Sequence, residues 1–144
     1  MKKDTEKELA RAREILTEGG YTCVLYSPEK VYHSTLRGVR PLLDFLESGV
    51  DFRGFAAADK TVGLGAAHGY ALLGVESVWA RVMSTGAKTL LSERGIRAAA
   101  ECEVPYIINR AGDGKCPIEA AVDGASSSEE ALIRINATLE ALSK

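Results

Sequence analysis

The chain has 144 residues, 46% of them hydrophobic and 26% charged, so we expect a single soluble domain spanning residues 1–144. Its net charge of −2 argues against nucleic-acid and anionic-membrane partners, and no apolar segment approaches the roughly 20 residues that span a bilayer. Three cysteines without a CxxC spacing, together with an N-terminus that lacks an apolar targeting segment, indicate reduced thiols and a cytoplasmic protein.

The N-terminal third is predicted to contain two helices separated by a hairpin. Thr5 and Glu8 have the T-x-x-E spacing of a capping box, which places a helix start at Thr5, and Gly19–Gly20 ends that helix. Its apolar stripe consists of Leu9, Ala12 and Leu16. The other elements predicted here are strands over 21–26 and 31–34, joined as a hairpin, and a helix over 40–47 with Pro41 in its first turn.

Strands alternate with helices through the rest of the chain. The predicted elements are strands over 52–62 and 77–83, helices over 63–74 and 85–94, and one or two short strands within 96–108. After a turn-rich loop at 109–114, Ser127 and Glu130 form the capping box of a last helix. The apolar face of that helix is predicted to hold Leu132, Ile135, Leu139 and Leu142. This alternation is typical of a layered α/β domain.

The glycine-rich run that opens the helix over 63–74 permits three interpretations. A dinucleotide fingerprint needs G-x-G-x-x-G, and Gly63 and Gly65 match its first two glycines. His68 stands at the third glycine position, Gly69 comes one residue late, and no acidic residue ends the next strand. The glycines instead allow this helix to lie close against the sheet, or its exposed N-terminus binds a phosphate or carboxylate.

Polar residues near the predicted strand ends are candidates for binding such an anion. Asp59 and Lys60 flank the glycine run, and Ser84 or Thr85 is expected to cap the helix that follows the next strand. Asn109 and Arg110 follow an apolar strand, at a position where α/β sheets often contact ligands. Arg110 would bind a carboxylate or phosphate through two hydrogen bonds, or alternatively pair with Asp113 across a surface turn.

Three segments of the sequence resemble the cytidine deaminase-like superfamily: DKTVGLGAA at 59–67, VPYIINR at 104–110 and CPIE at 116–119. The chain is most similar to a branch known mainly as a domain of unknown function in bacteria and archaea. This resemblance covers essentially the whole chain. It implies a three-layer α/β/α domain with a mixed, mainly parallel five-stranded sheet.

The resemblance does not extend to zinc chemistry. Active zinc deaminases carry H-x-E or C-x-E at one helix start and P-C-x-x-C at the next. Here Tyr70 stands where the glutamate should follow His68, and residues 84–88 contain no cysteine. We therefore expect no zinc-dependent deamination and no cofactor or metal. His68 is interpreted as a packed helix residue, and His33 as a surface residue of the hairpin.

Cys116 is the candidate for a catalytic nucleophile. It follows a flexible turn, Lys115 beside it would favour the reactive thiolate, and Glu119 could serve as the acid or base. In the alternative interpretation, the Cys116–Pro117 pair ends a strand and Glu119 is a solvated charge at a helix start. Cys23 and Cys102 lie in apolar predicted strands and are expected to be buried.

These observations support three functional hypotheses. The first is a domain that binds a small anionic or nucleotide-like ligand through Asp59, Lys60, Gly63, Gly65, Ser84, Thr85, Asn109 and Arg110. The second is a metal-independent enzyme with Cys116 as nucleophile and Glu119 as acid or base. The third is a structural or regulatory protein whose charged N-terminal helix joins copies of the chain into a homo-oligomer.

Overall fold

A computed structural model describes residues 4–108, 112 and 114–143. The helices are α1 (Thr5–Gly19), α2 (Arg40–Glu47), α3 (Leu64–Leu73), α4 (Thr85–Glu93), α5 (Pro117–Val122) and α6 (Ser128–Leu142). The strands are β1 (Cys23–Tyr26), β2 (Val31–Ser34), β3 (Ala56–Val62), β4 (Ser77–Ser84) and β5 (Arg97–Val104). None of the helices in this described part is long and apolar enough to cross a membrane.

The five strands form one mixed sheet in the order β2-β1-β3-β4-β5. β1 pairs antiparallel with both β2 and β3, whereas β3, β4 and β5 pair in parallel. Four of the five strands therefore point in the same direction, and β1 runs in the opposite direction. The parallel direction of β3 and β4 brings the starts of α3 and α4 to the same edge of the sheet.

Helix α1 covers one face of the sheet by itself. Its buried residues are those of the predicted stripe, and they pack on an apolar surface of β1, β3 and β4 formed by Val24, Ala56, Ala58 and Trp79. Helix α1 begins at Thr5 as predicted, but the predicted capping residue is wrong by one position. Asp4, not Thr5, is the N-cap, and its Oδ1 accepts a hydrogen bond from the Lys7 amide at 3.0 Å.

The other five helices contribute to the core on the opposite face. Buried side chains from each of them meet there: Leu42, Tyr70, Leu91, Ile118 and Ile135. Helices on both sides of a mixed five-stranded sheet confirm the predicted three-layer α/β/α architecture. The hairpin of β1 and β2 and the glycine end of α3 at Gly74 are also confirmed.

Several local predictions in the second half of the chain are wrong. For α5 the sequence predicted only a helix start near Glu119, in one of two interpretations and without bounds, because its six residues are too short to show a helical period. Cys102 is exposed rather than buried, since β5 is an edge strand. On α6 the buried residues are Ser128, Ala131 and Ile135, and Leu142 is 59% exposed at the end of the helix.

Candidate functional site

A cleft of about 370 Å³ opens at the sheet edge where β3 ends and α3 begins. Its walls come from Thr22 just before β1, the loop before α2, the end of β3, the start of α3, Ile107 and the start of α5. The polar side chains that line it belong to Thr22, Arg37, Asp59, Lys60, Thr61, Cys116 and Glu119. The cleft therefore brings together five of the residues predicted for the site: Asp59, Lys60, Gly63, Cys116 and Glu119.

Glu119 closes the start of α3 from a distant part of the chain. The N-cap of α3 is Gly63, which has no side chain to satisfy the first amides of the helix. Glu119 supplies the missing acceptor, because its Oε2 lies 3.0 Å from the Gly65 amide nitrogen. The interpretation of Glu119 as a solvated charge is therefore wrong, since the residue is only 8% exposed.

The glycines of α3 make room for neighbouring helices rather than for the sheet. A Cβ on Gly63 would lie 2.5 Å from the Glu119 carboxyl carbon, and one on Gly65 would lie 2.5 Å from Ile118. A Cβ on Gly69 would come within 2.9 Å of Leu42. Tight packing thus explains all three glycines, with α5 and α2 as the partners that approach closely.

Asp59 lies at the floor of the cleft and is held by a buried phenol. The Tyr70 hydroxyl donates to Asp59 Oδ2 at 2.6 Å, and the Thr61 amide donates to Oδ1 at 3.2 Å. Burial raises the pKa of the Asp59 carboxyl to about 7, although these hydrogen bonds act in the opposite direction. The Cys23 thiol lies 3.2 Å from the Tyr70 hydroxyl oxygen, below the carboxyl.

Two cations also line the cleft. Arg37 belongs to the loop between β2 and α2, and Lys60 follows Asp59 in β3. Both side chains are exposed, and neither forms an ion pair with a residue that the structure describes. A negatively charged group placed in the cleft would therefore meet two cations that have no competing ion-pair partner among the described residues.

The second predicted helix start lies outside this cleft. Ser84 caps α4, as predicted, and its Oγ accepts a hydrogen bond from the Ala87 amide at 3.2 Å. Thr85 donates instead to the Val104 carbonyl oxygen at 3.3 Å. Asn109 and Arg110, with the proposed pair of Arg110 and Asp113, lie outside the described residues.

Cys116 lies at the rim of the cleft. It is half-buried as the N-cap of α5, and its amide donates to the Ile107 carbonyl oxygen at 2.9 Å. The ammonium of Lys115 is 5.6 Å from the centre of the Tyr106 ring. Lys115 therefore has an aromatic partner of its own beside the thiol.

The two histidines have structural partners. His68 is buried in α3, its Nδ1 is 2.9 Å from the Ser128 hydroxyl, and burial lowers the pKa of its imidazole. His33 is an exposed residue of β2 whose ring stacks on Tyr21 at 4.0 Å. Among the described residues, no group of three or more histidine, cysteine, aspartate or glutamate side chains could hold a metal ion.

Four polar residues of the site were not predicted: Thr22, Arg37, Thr61 and Tyr70. Thr22 and Arg37 lie in or next to loops whose sequences carry no motif, so the sequence contains no signal that indicates a role in the site. Tyr70 stands at the position of the deaminase glutamate, so it was interpreted only as the loss of that acid–base residue. Its spacing of 11 residues from Asp59 could have indicated the contact, since a strand end and the second turn of the following helix lie close together.

Comparisons with known proteins agree with this fold. A crystal structure of a DUF1893 family protein from Thermotoga maritima superposes with a TM-score of 0.80 at 24% identity, covering 94% of this chain and 90% of that one. The chain is less similar to a dCMP deaminase from the cyanophage S-TIM5, with a TM-score of 0.44 and 15% identity over 69% of this chain and 99% of the phage protein.

The sequence comparisons identify the family. None of the curated proteins matches the chain. The model of a domain of unknown function, DUF1893, matches residues 11–139, which is most of the chain. This match confirms the predicted relation to an uncharacterised family, and the chain belongs to the DUF1893 family.

Proposed function

We propose that the cleft beside α3 binds a small ligand with an anionic group, such as a nucleotide, and that the protein does not carry out zinc-dependent deamination. One observation supports this proposal above the others. Arg37 and Lys60, which pair with no described residue, line the same cleft as the buried carboxyls of Asp59 and Glu119. A ligand that fits this arrangement carries an anion at one end and hydrogen-bond donors at the other.

The proposed position of the anion differs from the helix N-terminus expected from the sequence. Glu119 already accepts the Gly65 amide, so an anion at that amide would face a like charge. The guanidinium of Arg37 and the ammonium of Lys60 are the better partners, because a hydrogen bond between charged groups contributes about 1.5–3 kcal/mol. The contribution of Asn109 and Arg110 stays a prediction.

Thermal-shift measurements with the four ribonucleoside 5′-monophosphates, the matching nucleosides and inorganic phosphate test this proposal. At least one monophosphate should raise the melting temperature of the wild-type chain more than its nucleoside does. Arg37→Ala and Lys60→Ala should each weaken that binding by about 10- to 100-fold. Arg81→Ala is the matched control, since Arg81 is an exposed cation near Glu101 and outside the cleft.

Two results would overturn ligand binding at this cleft. The first is a panel in which no monophosphate and no phosphate shifts the melting temperature at millimolar concentration. The second is binding that falls equally in Arg81→Ala and in the two cleft variants, because the ligand would then respond only to net charge.

A second candidate function is metal-independent catalysis by Cys116. It is favoured by one observation, that the half-buried thiol lines the same cleft as the Glu119 carboxylate. In such a reaction the sulfur forms a bond to an electrophilic carbon of the ligand, the thiol proton passes to Glu119, and the leaving group departs with the bonding electron pair.

Alkylation by iodoacetamide at pH 7 tests this second candidate, with an internal control. Cys102 is exposed on β5, whereas Cys116 is half-buried, so accessibility alone makes Cys102 the faster of the two. Activation by the cleft should reverse that order, and Glu119→Gln should restore it. Mass spectrometry of the modified peptides measures both rates, and a faster Cys102 in the wild-type chain would rule out an activated Cys116.

A further inference from the structure

Three buried side chains form a continuous hydrogen-bonded chain beneath the cleft. The Tyr70 hydroxyl lies 2.6 Å from Asp59 Oδ2 and 3.2 Å from the Cys23 sulfur. The three residues belong to α3, β3 and β1, and their exposed fractions are 0%, 6% and 1%. Asp59 alone of the three lines the cleft, so the carboxyl is the end of this chain that meets a ligand.

The hydrogen bonds of this chain run in one direction. Tyr70 has a single hydroxyl hydrogen, which it donates to Asp59, so the Cys23 thiol donates its own hydrogen to the phenol oxygen. The Thr61 amide donates to the other carboxyl oxygen of Asp59. Asp59 therefore only accepts from the protein groups around it, and any proton that it gains or loses is exchanged on the cleft side.

The burial of Asp59 is costly and is not compensated by an ion pair. A carboxylate transferred out of water costs several kcal/mol unless a cation pairs with it, and no described residue forms a salt bridge with Asp59. Burial raises the pKa of Asp59 to about 7, so both protonation states are populated near neutral pH. An apolar side chain at this position would fill the core without that cost.

The other titratable groups near Asp59 do not share its behaviour. Burial, reinforced by the charge of Asp59, raises the pKa of both the Cys23 thiol and the Tyr70 phenol well above their ordinary values. Both therefore stay neutral donors. The remaining charged groups that line the cleft are Arg37, Lys60 and Glu119, and Glu119 already accepts the Gly65 amide.

We propose that Asp59 is an acid–base group of the cleft, which exchanges one proton with its occupant while Tyr70 and Cys23 hold the carboxyl in place. Its ligand presents an N–H, an O–H or a basic nitrogen at the floor of the cleft. When the carboxylate takes a proton, the bonding electron pair stays on the ligand's heteroatom, and the reverse step returns the proton. This inference rests on the proposed function for the identity of the ligand, but the titration of the Asp59 carboxyl is a property of the protein alone.

A water-soluble carbodiimide with glycine ethyl ester tests this inference without a known ligand. The protonated carboxyl gives its proton to a carbodiimide nitrogen, its oxygen bonds to the carbodiimide carbon, and the amine of the ester then displaces the urea. Labelling of Asp59, read by peptide mass spectrometry between pH 5 and 8, should fall with a midpoint near the pKa of about 7. Tyr70→Phe should move that midpoint to higher pH, because the Tyr70 hydrogen bond favours the charged carboxylate.

Asp51 is the control within the same chain. It is an exposed residue, and hydrogen bonds from Arg53 lower the pKa of its carboxyl to about 2. Asp51 should therefore label far more slowly than Asp59 at pH 6, although reagent reaches it freely. Labelling of Asp59 that is no faster than that of Asp51, or a midpoint near 4, would overturn the inference.

A second measurement covers the case in which Tyr70→Phe does not fold. Carbon-13 NMR of the Asp59 carboxyl in the wild-type chain should show a titration near pH 7, and an ordinary carboxyl titration near pH 4 would overturn the inference. The experiments also distinguish failure of the proposed function from failure of the role of Asp59. Positive labelling with no nucleotide binding rejects only the proposed function, whereas nucleotide binding without labelling rejects only the role of Asp59.

Discussion

Helices α3 and α4 begin in the same structural context but satisfy their first amides in different ways. Helix α3 follows β3 and α4 follows β4, and these two parallel strands end at the same edge of the sheet. At α4 the N-cap Ser84 accepts the Ala87 amide three residues ahead, at 3.2 Å. At α3 the N-cap is Gly63, and the acceptor is Glu119, which lies 54 residues from Gly65. The first amides of α4 are therefore capped without a contribution from another helix, whereas the start of α3 depends on a side chain of α5.

The cleft that holds the candidate site lies at the helix start with the distant cap. Glu119 reaches α3 because α5 lies over the strand end, and α5 then supplies a wall with Cys116, Ile118 and Glu119. At the start of α4, neither Ser84 nor Thr85 lines this cleft. The helix start that depends on a distant partner thus borders the cleft, and four measurements can test how far this contrast between the two helix starts holds.

The largest expected effect is a pH dependence of the free energy of unfolding that comes from Asp59 in β3. Below pH 4 Asp59 is protonated in both the folded and the unfolded chain, and between pH 4 and 7 only the folded chain keeps the proton. The free energy of unfolding should therefore fall as pH rises through this window, by about 4 kcal/mol at about 1.36 kcal/mol per pH unit. Urea unfolding of the wild type and Asp59→Asn should show the loss only in the wild type, and parallel pH profiles would contradict it.

Removal of the distant cap should have the next largest effect. Glu119→Ala leaves the buried Gly65 amide without its charged acceptor and should lower the free energy of unfolding by about 2–3 kcal/mol. Glu119→Gln keeps an acceptor oxygen and loses only the charge, so its cost should be about 1 kcal/mol. Equal losses in the two variants, measured by chemical denaturation, would show that the hydrogen bond is not what stabilises α3.

Alanine substitutions of one glycine at each helix start should change the free energy of unfolding in opposite directions. Gly63→Ala places a Cβ 2.5 Å from the Glu119 carboxyl carbon and should destabilise the chain by about 2 kcal/mol. Gly86→Ala in α4 meets only Leu64 at 3.8 Å and should stabilise it by about 0.5–1 kcal/mol. Thermal unfolding checks both, and a neutral Gly63→Ala would mean that Glu119 moves aside freely.

Loss of the local cap should be the smallest of the four effects. Ser84→Ala removes the acceptor of the Ala87 amide and should lower the free energy of unfolding by about 1 kcal/mol. Nucleotide binding should not change, because Ser84 lies outside the cleft. A fall in ligand affinity without a fall in stability would return Ser84 to the site, as the sequence prediction has it.

The sequence predicted the elements well wherever the signal is local. Pro41, the glycines after α1 and α3, and the Ser127 cap each act within one helical turn, and the corresponding helices are confirmed. The bounds of α5 were not predicted, because its six residues carry no helical period. The prediction failed for Cys102, because the sequence does not tell an edge strand from a central one.

The site was only partly predictable for a related reason. Asp59, Lys60 and Gly63 were found because they adjoin the glycine run, and Cys116 and Glu119 because they follow a turn-rich loop. The contacts between these segments were not predictable. The hydrogen bond between Glu119 and the Gly65 amide depends on where α5 packs, and the sequence does not predict the position of so short a helix.

The single tryptophan of the chain gives the α1 face an optical reporter of its own. Trp79 is 6% exposed on β4 beneath α1, and the Arg13 guanidinium of that helix lies 4.6 Å from the centre of its ring. The indole does not line the cleft, which opens at the sheet edge where β3 ends. Its emission should therefore follow the docking of α1 alone, so detachment of that helix can be observed separately from events in the cleft.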